Sequence, residues 1–226
     1  MAVQLELLKS TPYFSGLSQA ELVSISKYIF EKTADSGEII LSEGEPSEAW
    51  YIIASGAVKV FVTSSEGKEQ TLTIMRPGES FNDAPAFGDG PSLCTAQAMG
   101  PVVLYKINRD DLKSILQKHP QVSLNANKVL AGKVRQLASL IADLSFCPVI
   151  CRVAKILLKN TDEGAPPNPK LTQQEIAAMA GTAREVVGRS LKTLEEEGVI
   201  KLERNRLIIN DREGLKELVE NYSQRK

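Results

Sequence analysis

Cysteine, histidine and tryptophan are scarce in this chain. Its 226 residues include three cysteines, one histidine and one tryptophan. An odd, low cysteine count does not build a secreted disulfide framework. One histidine and three dispersed cysteines give no metal cluster by spacing. No apolar run approaches the ~20 residues needed to cross a bilayer. The opening "MAVQLELLKSTPYF" lacks a basic region followed by an apolar block, so no secretory signal is read there. A cytoplasmic protein with no membrane partner is the expectation. Charge of one sign is missing as well. The formal net charge is -1, which argues against a protein that coats nucleic acid through bulk charge. No nucleophile–base pair and no phosphate loop stands out, so no enzyme is expected.

Hydrophobic residues make up 42% and charged residues 24%, an ordinary globular balance. The length fits one large domain or two modest ones. Up to about residue 30 the chain reads as short helices, with Ser18 as a candidate N-cap before Leu22, Ile25 and Ile29. From Gly37 to about Ile107, β-prone runs alternate with turn signals at Gly44, Gly56, residues 64–68, 76–79 and 88–92. Short strands at this spacing predict an antiparallel jelly roll. "RDDLKSILQK" then predicts a short helix that stops before Pro120. A long helix follows over about Gln121 to Phe146. On it Leu130, Val134, Leu137, Ile141 and Leu144 fall at alternating steps of four and three. That is either a dimer seam or a face packed on its own domain.

The C-terminal stretch carries the most specific pattern. Between residues 168 and 226 there are eleven positive and ten negative side chains, so any basic surface comes from arrangement. In "LTQQEIAAMAGTAREVVGRSLKTLEEEGVI", Thr172 caps a helix with Glu175 as capping-box partner. Gly181 turns the chain. Thr182 is expected to cap the next helix with Glu185, and Val186, Val187, Leu191 and Leu194 form its buried stripe. "GVIKLERNRLIIND" adds two strands around Arg204 and Asn205. Helix, glycine turn, helix and hairpin spell a winged helix-turn-helix. In such a motif the start of the second helix faces bases in the major groove. Arg184 and Arg189 suit guanine O6 and N7, and Glu185 suits cytosine N4. Glu195, Glu196 and Glu197 read as a solvated helix end, and Arg204 and Arg206 as wing residues near phosphates.

These motifs resemble the CRP/FNR superfamily of bacterial transcription regulators over the whole chain. "GEIILSEGEPSEAWYIIASGAVKVF" is similar to the start of that family's cyclic-nucleotide-type barrel, and "VICRVAKILL" to the helix that opens its DNA-binding domain. The resemblance implies an α+β chain in three parts: a jelly-roll sensor over residues 1–120, a dimerisation helix over 121–147, and a winged helix-turn-helix over 148–226. It implies a homodimer on double-stranded, near-palindromic DNA with TGTGA-like half-sites. Arg184, Glu185 and Arg189 would read bases there, Gln174, Ser190 and Thr193 lie at phosphate-contact positions, and Thr182 is counted among the DNA-binding residues. "TDEGAPPNP" occupies the place where family activators touch RNA polymerase.

The sensor departs from the family. Where its cassette has Gly-Glu and then Arg-Ser, this chain has Asn82-Asp83 and Leu93-Cys94. Leu137 and Ala138 stand where the cyclic-AMP receptors carry hydroxyl residues. Without the arginine a buried phosphate lacks its partner, which costs several kcal/mol. Cyclic AMP is therefore not expected, and the pocket residues Phe81, Asn82, Asp83, Phe87, Leu93, Cys94, Thr95 and Leu137 point to another small effector. Haem is an alternative, with His119 or Cys94 as axial ligand, in the manner of the nitric-oxide-responsive branch. A regulator that senses nothing is another. No N-terminal cysteine cluster supports an iron–sulfur sensor. Cys147 and Cys151 are read as small buried residues, or as residues with an interchain or redox role at the hinge.

Overall fold

A computed structural model of the chain describes residues 4–46, 49–88, 90–160, 172–203 and 206–224. These form two compact units, Met1–Gln136 and Leu137–Lys226. In the first, β-branched and aromatic residues at alternate positions build two antiparallel sheets. One contains β1 (Phe30–Ala34), β8 (Val102–Asn108), β3 (Ala49–Ser55) and β6 (Ser80–Phe81), in that order. The other contains β2 (Ile39–Leu41), β7 (Thr95–Ala98), β4 (Val58–Thr63) and β5 (Glu69–Met75), also in that order.

β3 explains its own unbroken apolar run. Tyr51 and Ile53 pack with Val58, Val60, Ala96, Ala98 and Leu104 between the sheets. Trp50 and Ile52 point the other way, into a second core with the helices. Those are α1 (Leu5–Ser10), a 3-10 turn (Pro12–Phe14), α2 (Gln19–Ser26), α4 (Arg109–Lys118) and the start of α5 (Pro120–Phe146). Ser18 caps α2 in a full capping box with Glu21. A strand buried on both faces has no alternation to display, and its length and flanking glycine mark it instead.

Gly56, between β3 and β4, has φ +85°, and a Cβ there would lie 2.5 Å from the Pro101 carbonyl oxygen and 2.7 Å from Val102 Cγ1. β1 and the short α3 (Asp83–Phe87) go beyond the sequence expectations. β1 is an edge strand with little burial, so it shows no apolar pattern.

In the second unit, α6 (Val149–Asn160), α7 (Gln173–Ala180), α8 (Arg184–Glu196), β9 (Ile200–Glu203), β10 (Arg206–Ile209) and α9 (Arg212–Gln224) follow the end of α5. Val153, Leu157, Ile176, Val187, Leu191, Leu194 and Leu215 form their core. Thr172 and Glu175 make the expected capping box, and Gly181 takes the left-handed conformation that ends α7. The expected cap on α8 is corrected: its N-cap is Ala183, with no side-chain cap. The Thr182 N–H is committed to the Ala177 carbonyl, so Thr182 belongs to the turn that closes α7. α9 was not among the expectations, although Leu215, Leu218 and Val219 follow a helical repeat. No described helix is long and apolar enough to cross a membrane.

Two of the turn glycines with positive φ, Gly56 and Gly67, make a test of the barrel. Nothing lies within 4 Å of a Cβ at Gly67. Gly67→Ala should cost about 1–2 kcal/mol for its left-handed backbone alone. Gly56→Ala should cost a further ~1–3 kcal/mol from overpacking against Pro101 and Val102. Urea denaturation of the two variants measures the difference, and equal losses contradict this close approach.

Candidate nucleic-acid interface and sensor cassette

α8 divides its residues by face. Val187, Leu191 and Leu194 are buried, while Arg184, Glu185 and Arg189 are exposed. The helix therefore holds its inner stripe fixed and presents two guanidinium groups and a carboxylate outward. Gln174 on α7 and Thr193 are exposed too, and Thr182 is half-buried. The Thr193 hydroxyl donates to the Arg189 carbonyl at 3.2 Å. Ser190 is placed differently from expectation. It is buried, and its hydroxyl donates to the Val186 carbonyl at 2.9 Å, within its own helix. Glu195 is also no simple solvated residue: its carboxylate accepts the Leu202 N–H at 2.7 Å and ties α8 to β9. Glu196 and Glu197 are exposed. Arg204 and the "TDEGAPPNP" segment lie outside the described residues, as does the side chain of Arg206.

Arg152 joins the last turn of α5 to this reader. Its Nη1 donates to the carbonyls of Cys147 at 2.8 Å, Leu144 at 3.4 Å and Asp143 at 3.5 Å. Its Nε donates to the Ala180 carbonyl at 2.8 Å, where α7 ends. A planar guanidinium thereby satisfies orphan carbonyls at two helix C-termini at once. Lys155 pairs with Asp143 at 2.6 Å beside it. Burial opposes the charge on Lys155, but the Asp143 hydrogen bond and charge outweigh it and raise its pKa. Cys147 precedes α6 and is half-buried; Cys151 is buried within α6; neither forms a disulfide.

On α5, Val134 and Ile141 are each 65% exposed, Leu137 46% and Leu144 36%. Leu130 is half-buried. Leu124, Asn127, Ala131 and Ala138 are also exposed and share the three-and-four spacing of Val134 and Ile141. The exposed line thus begins earlier than expected, at Leu124, with Asn127 as its one polar member. Alanines and an asparagine do not stand out in a hydrophobicity pattern, which is why sequence reasoning passes over them.

The cassette of the first unit is built around Asp83, which is 5% exposed. Oδ1 accepts from the Tyr13 hydroxyl at 2.6 Å, Trp50 Nε1 at 2.8 Å and the Ser80 hydroxyl at 2.5 Å. Oδ2 pairs with the Lys133 ammonium from α5. Burial pushes the Asp83 carboxyl up, yet the charge and hydrogen bond of Lys133, with Ser80 and Tyr13, bring it below its ordinary value. The same burial, and then the Asp83 charge, drive the Tyr13 phenol far up. Sequence reasoning missed Tyr13, Trp50, Ser80 and Lys133 as partners of Asp83. Lys133 lies one turn before Leu137, and that position is the only signal it offers.

The remaining cassette residues each have an internal task. Asn82 takes a left-handed φ of 63°, a conformation that asparagine tolerates better than most residues. Its amide donates to the Ala49 carbonyl at 2.7 Å and accepts from the Ser92 hydroxyl at 3.2 Å. Phe81 stacks on Tyr51 at 5.1 Å and Phe87 on Tyr13 at 5.6 Å. The Thr95 hydroxyl accepts the Glu43 N–H at 3.1 Å. Leu93 is 64% exposed. Burial and then the charges of Glu43 and Asp83 push the Cys94 thiol up, so it stays protonated at neutral pH. His119 Nδ1 sits 3.5 Å from Glu21 Oε1, with the side chain mostly buried. Leu137 falls in the second unit.

Comparison with known proteins agrees with this layout. The cyclic nucleotide-binding domain family matches residues 31–119, and the Crp-like helix-turn-helix domain family matches residues 151–218. A CRP-like cAMP-activated global transcriptional regulator of Mycobacterium tuberculosis is 34% identical over 217 residues, covering 93% of this chain and 97% of its own. The cyclic AMP receptor protein of Thermus thermophilus is 34% identical over 195 residues, covering 86% and 90%. FixK2 from Bradyrhizobium japonicum superposes with a TM-score of 0.73 at 25% identity, over 84% of this chain and 96% of that one. The chain belongs to the CRP/FNR family of DNA-binding transcription regulators. Its relatives regulate transcription rather than catalyse a reaction, and it is not an enzyme.

The Asp83 network predicts an acid-sensitive barrel. A carboxyl held below its ordinary 3.8 in the folded state adds stability that is complete above that value. The contribution is lost as pH falls through the lower folded value. Unfolding followed by emission of Trp50, the single tryptophan, should show wild type losing stability below about pH 4 more steeply than Asp83→Asn. Parallel acid limbs contradict the pairing.

Proposed function

We propose that this chain acts as a homodimeric, sequence-specific transcription regulator whose signal is not cyclic AMP. The observation that carries the second half of that reading is the occupancy of Asp83. Its two oxygens already hold four donors from the chain, and Leu93 stands exposed where the family's phosphate-binding arginine belongs. A cyclic nucleotide presented here meets an occupied carboxylate and no arginine for its phosphate, a loss of several kcal/mol. The names of the relatives tell of cyclic AMP in those proteins, and the departures at Asp83, Leu93 and Leu137 are the reason not to carry it over.

Haem is the alternative signal, with His119 at the end of α4 or Cys94 before β7 as axial ligand. A regulator that needs no small effector is favoured by the internal filling of the cassette.

The three parts take three roles in this reading: residues 1–120 as sensor, 121–147 as dimerisation helix, 148–226 as DNA reader, in the cytoplasm and in contact with RNA polymerase. The exposed line from Leu124 through Val134 to Ile141 supports dimerisation, since a strip of that length left in water is unfavourable. Arg184, Glu185 and Arg189 read half-sites close to TGTGA, with Gln174, Thr182 and Thr193 near phosphates and Arg204 and Arg206 on the wing. Ser190 is left out of that set because it is buried, whereas Thr193 is exposed.

Random-site selection with the full chain should return paired half-sites containing G·C pairs at the arginine positions. Arg184→Ala and Arg189→Ala should each weaken binding by about 1–3 kcal/mol and relax preference at one base pair. Half-sites without those G·C pairs, or arginine variants with unchanged preference, contradict the reading. Val134→Asp with Ile141→Asp should convert a dimer to a monomer in sedimentation, and an unchanged sedimentation coefficient removes the α5 interface.

A further inference from the structure

The carboxylate of Asp83 is nearly fully buried, yet no incoming molecule is needed to satisfy it. A carboxylate offers about four lone-pair sites. Three donors converge on Oδ1, from Tyr13, Trp50 and Ser80, and the Lys133 ammonium takes Oδ2. Lys133 also donates to the Ser80 carbonyl at 2.7 Å, so its ammonium grips the β6–α3 turn at two points. The neutral donors are held in place by aromatic packing. Tyr13 lies 4.6 Å from Trp50 and 5.6 Å from Phe87, centroid to centroid. Lys133 is 50 positions along the chain from Asp83 and enters from α5. The pair therefore ties one turn of the long helix to the cassette of the barrel.

Charge decides the strength of that tie. A hydrogen bond between ions is roughly twice as strong as a neutral one. A buried charge left without its partner is strongly disfavoured. Removing Lys133 from its seat strands Asp83, so the helix turn that bears Lys133 is held wherever the cassette is folded. We propose that Lys133 is the barrel's built-in ligand: it takes at Asp83 the place of an effector's hydroxyl and holds α5 tethered with nothing bound. This deepens the reading of the cassette as a sensor whose signal is not cyclic AMP. The tether itself is independent of what the C-terminal unit binds.

Hydrogen–deuterium exchange of the full-length protein, in buffer without any added small molecule, tests the tether. Lys133→Met alone strands a buried carboxylate and risks misfolding. Asp83→Asn keeps a carbonyl oxygen for Tyr13, Trp50 and Ser80, so Asp83→Asn and the Asp83→Asn/Lys133→Met pair carry the test. Peptides covering residues 129–136 should be protected in wild type. They should exchange about tenfold faster or more in both variants, while α8 peptides stay unchanged. Lys133→Arg should retain most of the protection. Equal exchange of residues 129–136 in wild type and both variants overturns the tether. The same proteins are then assayed on a selected operator. A shift in affinity of about tenfold in the double variant supports the effector role, and an unchanged affinity beside raised exchange overturns it. Wild type that shows the exchange difference but no sequence preference on DNA leaves the tether standing and removes the DNA reading.

Discussion

A single buried carboxylate organises the first half of this protein. Asp83 cannot remain ionised at 5% exposure unless its lone pairs are filled, and the neighbouring Ser80 and three side chains from distant places fill them. Tyr13 comes from the N-terminal turn, Trp50 from β3, Ser80 from β6 and Lys133 from α5. Each is also part of a larger body: Tyr13 and Trp50 belong to the core between sheet and helices. Satisfying one charge thus fixes the relative positions of the N-terminal turn, the sheet and the middle of the long helix. The left-handed Asn82 immediately before it serves the same end, since its amide holds the turn between β3 and the loop at Ser92.

The second half depends on a comparable arrangement at Arg152. One guanidinium closes the last turn of α5 and the end of α7, two places where backbone carbonyls have no helical partner. α7 then turns at Gly181 into α8, whose outward side chains are Arg184, Glu185 and Arg189. α5 is one continuous helix from Pro120 to Phe146; Asp83 grips it near its middle, at Lys133, and Arg152 at its last turn. A two-state change in such an element is the kind of device by which a sensor biases a reader.

Legibility in the sequence followed the range of the interactions involved. The capping boxes at Ser18 and Thr172, the glycine turn at Gly181 and the hairpin of β9 and β10 are local, and their residues announce them. The helix-turn-helix was readable for that reason. The cap on α8 was misplaced by one residue because Thr182 has two possible tasks, and the closing of α7 claims it. Ser190 carries a hydroxyl that looks available in sequence, and only the packed helix shows it turned inward. The cassette was legible as a departure from its family, yet what replaces the family's ligand set was not. Tyr13 and Asp83 are 70 positions apart and Lys133 and Asp83 are 50 apart, and no periodicity links them. The edge strand β1 was invisible for the opposite reason, since its exposed residues have no pattern imposed by a core.

The central claim is that the reader's readiness for DNA is set within the chain rather than by cyclic AMP. It is tested most directly by the affinity of dialysed, nucleotide-free protein for a selected operator, measured by fluorescence anisotropy with and without saturating cyclic AMP. The account predicts specific binding without nucleotide and no change when it is added. Specific binding that emerges only with cyclic AMP would contradict it.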